Sequence, residues 1–174
     1  MTRVSRWLMP LALALPACFF VVHAASARAQ SAGPAFDRLK ALEGDWIDVE
    51  GVFGKKGAVA ITYRVTGGGT AVLETFPVGT KEEMVTVYHK DGSDVVLTHY
   101  CSGGNQPRMR AKGMNGDVLV FDYDGGTNID PATSSHMHSA KIEFLGPDEV
   151  RASWQNWSDG KPNHLGVFRV VRKK

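Results

Sequence analysis

His136 and His138 stand two residues apart in a run whose later alternate members, Ala140, Ile142 and Phe144, are apolar. In an extended strand that spacing sends both imidazoles to one face, and the apolar members predict that this face turns inward. Two imidazoles so arranged reach one zinc ion when a neighbouring strand supplies a third ligand, and His99 is the natural third. The metal-free alternative sets His136 and His138 at a rim beside the loop Gly125–Ser135, hydrogen-bonded.

Other groups could meet a ligand without metal. Asn105-Gln106-Pro107 puts two amides on a loop between strands, where a barrel mouth would lie and where loops carry specificity. Arg108 follows, with Arg110 and Lys112 on the same strand face. Three cations inside a small barrel are expensive unless an anion meets them, so they belong either outside or, for Arg108, on a ligand carboxylate. The expected ligand-binding set is therefore His99, Asn105, Gln106, Arg108, His136 and His138.

Catalytic templates fail. His99 and Cys101 face the same way, but their α-carbons are ~6.5–7 Å apart in a strand, too far for an assured activating hydrogen bond. Ser93, Ser102 and Ser135 lack a nucleophile elbow. Gly67-Gly68-Gly69 is followed by neither Gly-Lys-Ser/Thr nor a helix, so it is a turn and not a phosphate loop. The pattern favours binding over catalysis.

The elements that must position these residues are short strands. Phe36, Leu39 and Leu42 give one amphipathic helix over 34–42, ended by Gly44 and about two turns long. Beyond it, Val59, Ile61, Tyr63 and Val65 alternate with polar residues, and turn signals recur at Asp91-Gly92, Asn115-Gly116, Pro147-Asp148 and Asp159-Gly160. The expected fold is all-β, a single up-and-down antiparallel barrel of about 8–10 strands with a short N-terminal capping helix. Register across Asp91-Gly92 sets Met84 opposite His99 and Thr86 opposite Leu97. Across Asn115-Gly116, Met109 and Ala111 share a face with Val118, Val120 and Asp122. Trp154 and Trp157 have opposite parity, one for the core and one for the outside.

Residues 1–29 are expected to be a cleaved signal peptide and 30–174 the barrel domain. Arg3 and Arg6 precede an apolar stretch from Trp7 to Val22, and Ala27-Arg28-Ala29 offers a cleavage site that leaves Gln30 first; Ala24 is a second possible cut. The destination is the periplasm or the exterior. Lipid attachment at Cys18 is disfavoured, because the apolar run continues through Phe19–Val22. Three of 20 basic residues leave with the leader and none of the 18 acidic ones do, so the net charge becomes 17 − 18 = −1 rather than +2. Nothing then favours nucleic acid or an anionic membrane as partner, and no integral membrane segment remains after processing. One cysteine, Cys101, is left, so no intramolecular disulfide forms.

Gly44-Asp45-Trp46 after a short helix resembles the Gly-x-Trp opening of lipocalin-type (calycin) barrels. That resemblance implies a basic residue of the last strand, Arg169 or Arg172, packed over Trp46. The stretches Glu83–His89 and Thr98–Met109, including His99-Tyr100-Cys101 and Asn105-Gln106-Pro107, resemble a group of exported lipocalin-like bacterial proteins. A second resemblance, to haem-binding nitrobindin barrels, implies His164 before Leu165 as a haem ligand, although Ile47-Asp48-Val49-Glu50 departs from that family's Gly-rich first strand. The expectation is an exported, non-catalytic barrel, monomeric or weakly dimeric, that binds a partly apolar small molecule with a polar or anionic group. It needs no cofactor. The alternatives are zinc or haem held by His136, His138 and His99 or by His164, and a filled barrel whose outer surface binds protein.

Overall fold

Among the described residues, alternating side chains and glycine-marked turns fold into eleven strands behind one α-helix. The computed structural model describes residues 32–174, so the expected leader, its cleavage sites and Cys18 lie outside the described residues. The elements are α1 (Ala32–Lys40), β1 (Gly44–Asp48), β2 (Val59–Thr66), β3 (Ala71–Phe76), β4 (Met84–Asp91), β5 (Asp94–Tyr100) and β6 (Gln106–Ala111). There follow β7 (Met114–Asn115), β8 (Val118–Thr127), β9 (His136–Gly146), β10 (Glu149–Ser158) and β11 (Lys161–Arg172). Each strand pairs antiparallel with its neighbour, β1 pairs with β11, and β6 pairs directly with β8. Ten strands thus close into an antiparallel barrel, with the two-residue β7 attached beside β8. This architecture fits a lipocalin-like barrel. Among the described residues no helix is long and apolar enough to cross a membrane.

Helix α1 plugs one end. Ala35, Phe36 and Leu39 are buried and join Trp46, Tyr63, Val72, Tyr88 and Val95 in one apolar cluster. Arg38 and Lys40 stay on the wet side, paired with Asp117 and Asp37.

The chain's first and last strands are locked together at the same end. Trp46 lies opposite Arg172 in the ladder. The Arg172 guanidinium sits 4.6 Å from the Trp46 ring centre and donates to the Glu43 and Ala41 carbonyls at 2.7 Å each. Its Nε reaches Asp148 at 2.8 Å. Gly44 makes room: its φ is +130°, and a Cβ there would lie 3.3 Å from Arg172 Nη1. Arg169, the other basic residue expected over the tryptophan, is instead on the outer wall, bonded to Glu149 at 2.6 Å. The reason is parity. Phe168 and Val170 are buried, so Arg169 between them must face out, and Arg172 returns to the inner face where the strand leaves the barrel.

Two hairpins differ from their expected registers. Across Asp91-Gly92 the ladder pairs Thr86 with His99 and Asp91 with Asp94, two residues from the expected pairing, so the faces are unchanged. Thr86, Tyr88, Val95, Leu97 and His99 are the buried side. Around Asn115-Gly116 the strand breaks at Lys112-Gly113, and Met109 pairs with Tyr123. That is a one-residue difference, which exchanges the faces. Met109 and Ala111 face the core with Leu119 and Phe121, while Arg110 lies outside beside Asp122. The expected loop Gly125–Ser135 also shortens, because β8 runs on to Thr127.

Arg172→Ala is expected to lower unfolding free energy by about 2–3 kcal/mol, since it removes charge-assisted bonds to carbonyls together with the cation–π contact. Arg169→Ala, an exposed pair, should stay within about 1 kcal/mol of wild type. Urea titrations followed by tryptophan fluorescence measure both.

Candidate functional site

Register brings four polar side chains into one row across the inner wall. Tyr63 of β2 lies opposite Glu74 of β3, Glu74 opposite Thr86 of β4, and Thr86 opposite His99 of β5. All four are buried. The Tyr88 hydroxyl donates to Glu74 at 2.6 Å, and Thr86 Oγ1 lies 2.9 Å from His99 Nδ1. His99 Nε2 has no partner among the described residues. Such an orphan is uncommon, because an unmet buried polar atom costs about 1–3 kcal/mol.

The row divides the interior. One step toward α1, Val72, Tyr88 and Leu97 are fully buried in a packed core. One step the other way, Phe76 and Met84 line an open-ended cavity of about 440 Å³. The barrel is therefore filled at the helix end and hollow at the other. The cavity wall also includes Phe53, Met137, Trp154, Gly166 and Phe168, with His99 as its buried titratable group. Glu82 and His164 line it as well, and both are exposed. Among the described residues no lysine or arginine lines it.

One side of the mouth is aromatic. Phe53 meets Phe76 and Phe168 edge-on with ring centres 4.3 and 4.8 Å apart. Phe53 belongs to the loop after β1, and buried Asp48 fixes that loop. Its carboxylate accepts the backbone N–H groups of Glu50, Gly51 and Phe53 at 2.8–2.9 Å.

Of the six expected ligand-binding residues, His99 alone lines the cavity. Arg108 lies outside, its Nε 3.0 Å from the Asp124 carbonyl and 3.2 Å from its carboxylate. Its neighbours Pro107 and Met109 take the inner face, so an anion clamp inside the barrel is ruled out for Arg108. Asn105 is buried and donates to the Ser135 carbonyl at 2.8 Å, tying the turn after β5 to the segment before β9. Gln106 accepts a long bond from Asn128 at 3.4 Å. Neither amide lines the cavity.

His136 is buried, yet neither it nor His138 lines the cavity, and the reason is specific. Across β9 and β10 the ladder pairs Ser139 with Gln155 and then Met137 with Asn156, leaving His138 as an extra, bulged residue. Parity switches there, and Met137 takes the cavity position. His136 Nδ1 donates to the Ser134 carbonyl at 2.9 Å, and its Nε2 lies 3.0 Å from His138 Nδ1, so the two rings share a hydrogen bond. His138 is stacked between Trp157, 3.7 Å away, and Tyr123, 4.9 Å away. Burial and the neighbouring His136 hold its pKa down. Each imidazole satisfies the other. His99 is engaged elsewhere, and among the described residues no three His, Cys, Asp or Glu side chains gather to hold a metal ion. His164, proposed for haem, does combine an exposed side chain with a position on the cavity wall.

Glu74 and the aromatic wall were not anticipated from the sequence. The available signal was a glutamate sharing strand parity with Val72 and Phe76. No family model matches the chain, and no curated protein matches it.

Burial raises the Glu74 carboxyl from 4.5 to about 7 and lowers His99 from 6.5 to about 4. The two act oppositely on stability. Between 4.5 and 7 the folded state holds a proton on Glu74 that the unfolded chain has lost, so stability falls as pH rises through this window. Between 6.5 and 4 the unfolded chain protonates His99 while the folded state does not, so stability falls as pH drops. Glu74→Gln keeps an acceptor for Tyr88 and removes the first effect. Relative to wild type, this variant should gain about 3 kcal/mol as pH rises across the Glu74 window, measured by denaturant titrations over a pH series.

Proposed function

We propose that this chain is an exported, non-catalytic carrier that holds a small, predominantly apolar molecule in the hollow half of its barrel. One observation carries the reading: a cavity of about 440 Å³, walled by phenylalanine, methionine and tryptophan, opens at one end of an otherwise packed barrel. That volume lies within the ordinary range for small-molecule sites, ~300–1,000 Å³. A few polar groups in an apolar wall are the usual arrangement for such a site, and His99 is the buried one here. Export rests on the leader features of residues 1–29. Mass spectrometry of the protein from its own host should find Gln30 at the N-terminus.

Gly166 provides the direct test. It lines the cavity, and a Cβ there would meet nothing closer than the Trp154 carbonyl at 3.9 Å. Gly166→Phe should fill the space without straining the strand. Wild type is expected to take up Nile red with a fluorescence rise, whereas Gly166→Phe, equally resistant to urea, should lose at least about tenfold in dye affinity. Equal uptake by both proteins overturns the reading.

A second reading, haem held through His164, is favoured by that residue's exposed side chain in the cavity wall. The imidazole would supply an axial ligand, and the phenylalanines an apolar bed for the macrocycle. A Soret band in natively purified protein, lost in His164→Ala, supports this reading; its absence from protein reconstituted with haem ends it.

A further inference from the structure

The cavity's polar inventory restricts what can enter. His99 Nδ1 is engaged by Thr86 on the wall, 2.9 Å away, so Nε2 is the hydrogen-bonding atom that His99 has left for an occupant. The residue is only 4% exposed and rests against Trp154, ring centres 5.1 Å apart, at the buried end of the lining. Glu82 and His164, the other polar side chains of the lining, are exposed, so at the buried end a ligand's polar group has that nitrogen as its side-chain partner.

Charge is restricted too. Among the described residues no lysine or arginine lines the space, and the acidic residue that does, Glu82, is exposed. Arg108 and Arg110 are on the far side of the wall, neutralised by Asp91, Asp94 and Asp124. The interior row behind His99 contains a carboxyl, Glu74, and no cation. A carboxylate or phosphate brought inside would lose its hydration and gain no counter-charge. Burial keeps His99 itself neutral at ordinary pH.

The form of the polar group follows from hydrogen-bond complementarity. Thr86 can either donate to Nδ1 or accept from it, which leaves Nε2 as a donor or a bare acceptor respectively. A carbonyl satisfies only the first state. A hydroxyl satisfies both.

Building on the carrier reading above, we infer that the ligand is a neutral apolar alcohol or phenol whose single hydroxyl bonds His99 Nε2, and that anionic amphiphiles are refused. The sequence had left an anionic group open, with Arg108 as its clamp. The side-chain arrangement removes that option.

Nile red displacement at neutral pH tests this with decanol and decanoate on wild type and on His99→Phe. Decanol should displace the dye from wild type. In His99→Phe, which keeps a ring against Trp154, decanol should weaken by about tenfold while Nile red uptake persists; His99→Gln should recover part of the loss. If His99→Phe fails to fold, nitrogen-15 NMR of wild type replaces it, and the His99 Nε2 resonance should shift on saturation with decanol. Decanoate binding as tightly as decanol overturns the inference and leaves the carrier reading intact. So does an unchanged decanol affinity in a folded His99→Phe, or an unmoved Nε2 resonance. Failure of wild type to take up either Nile red or decanol overturns both.

Discussion

The pairing of β6 with β8 is the constraint on which everything else rests. Gln106 to Arg110 bonds to Asp122 to Thr127 across the short β7, and that ladder turns an open sheet into a tube. An open sheet would leave β6 and β8 as unpaired edges and their inner faces wet. Closure dries the inside, and drying gives Glu74 and His99 their perturbed proton affinities. It also makes one unmet nitrogen an informative observation. On a wet sheet, His99 Nε2 would simply bond water.

The interior is graded along the barrel axis. Near α1 it is a conventional apolar core of Trp46, Leu39, Leu97, Leu119 and Phe121. The polar row Tyr63–Glu74–Thr86–His99 comes next, and beyond it lies the hollow. Stability and binding are therefore assigned to opposite ends of one small domain. The Arg172–Trp46 contact and the helix hold the closed end.

Much of this was legible in the chain. Phe36, Leu39 and Leu42 marked the helix, the Asp-Gly and Asn-Gly pairs marked the turns, and Gly44-x-Trp46 marked the locked end. Parity arguments survived the β4–β5 hairpin because the true register differs by two residues, which returns every side chain to its face. They failed wherever the shift was one. The break at Lys112-Gly113 put Leu119 and Phe121, rather than Val118 and Val120, on the face of Met109, and the bulge at His138 gave the cavity position to Met137 instead of the imidazoles. Neither irregularity has a local sequence signature as strong as a turn dipeptide. Each is fixed by the need to satisfy ladder hydrogen bonds on two neighbouring strands at once. Glu74 was missed because an isolated charge in an apolar strand is ordinarily a solvent-facing residue.

The loop carrying Phe53 has a consequence for how a guest arrives. Asp48 holds three of its backbone N–H groups, through bonds that involve no guest atom. The threshold is therefore shaped during folding, when its conformational entropy is surrendered once. Association then draws on a doorway already cut to size, and the free energy of contact is not spent on building it.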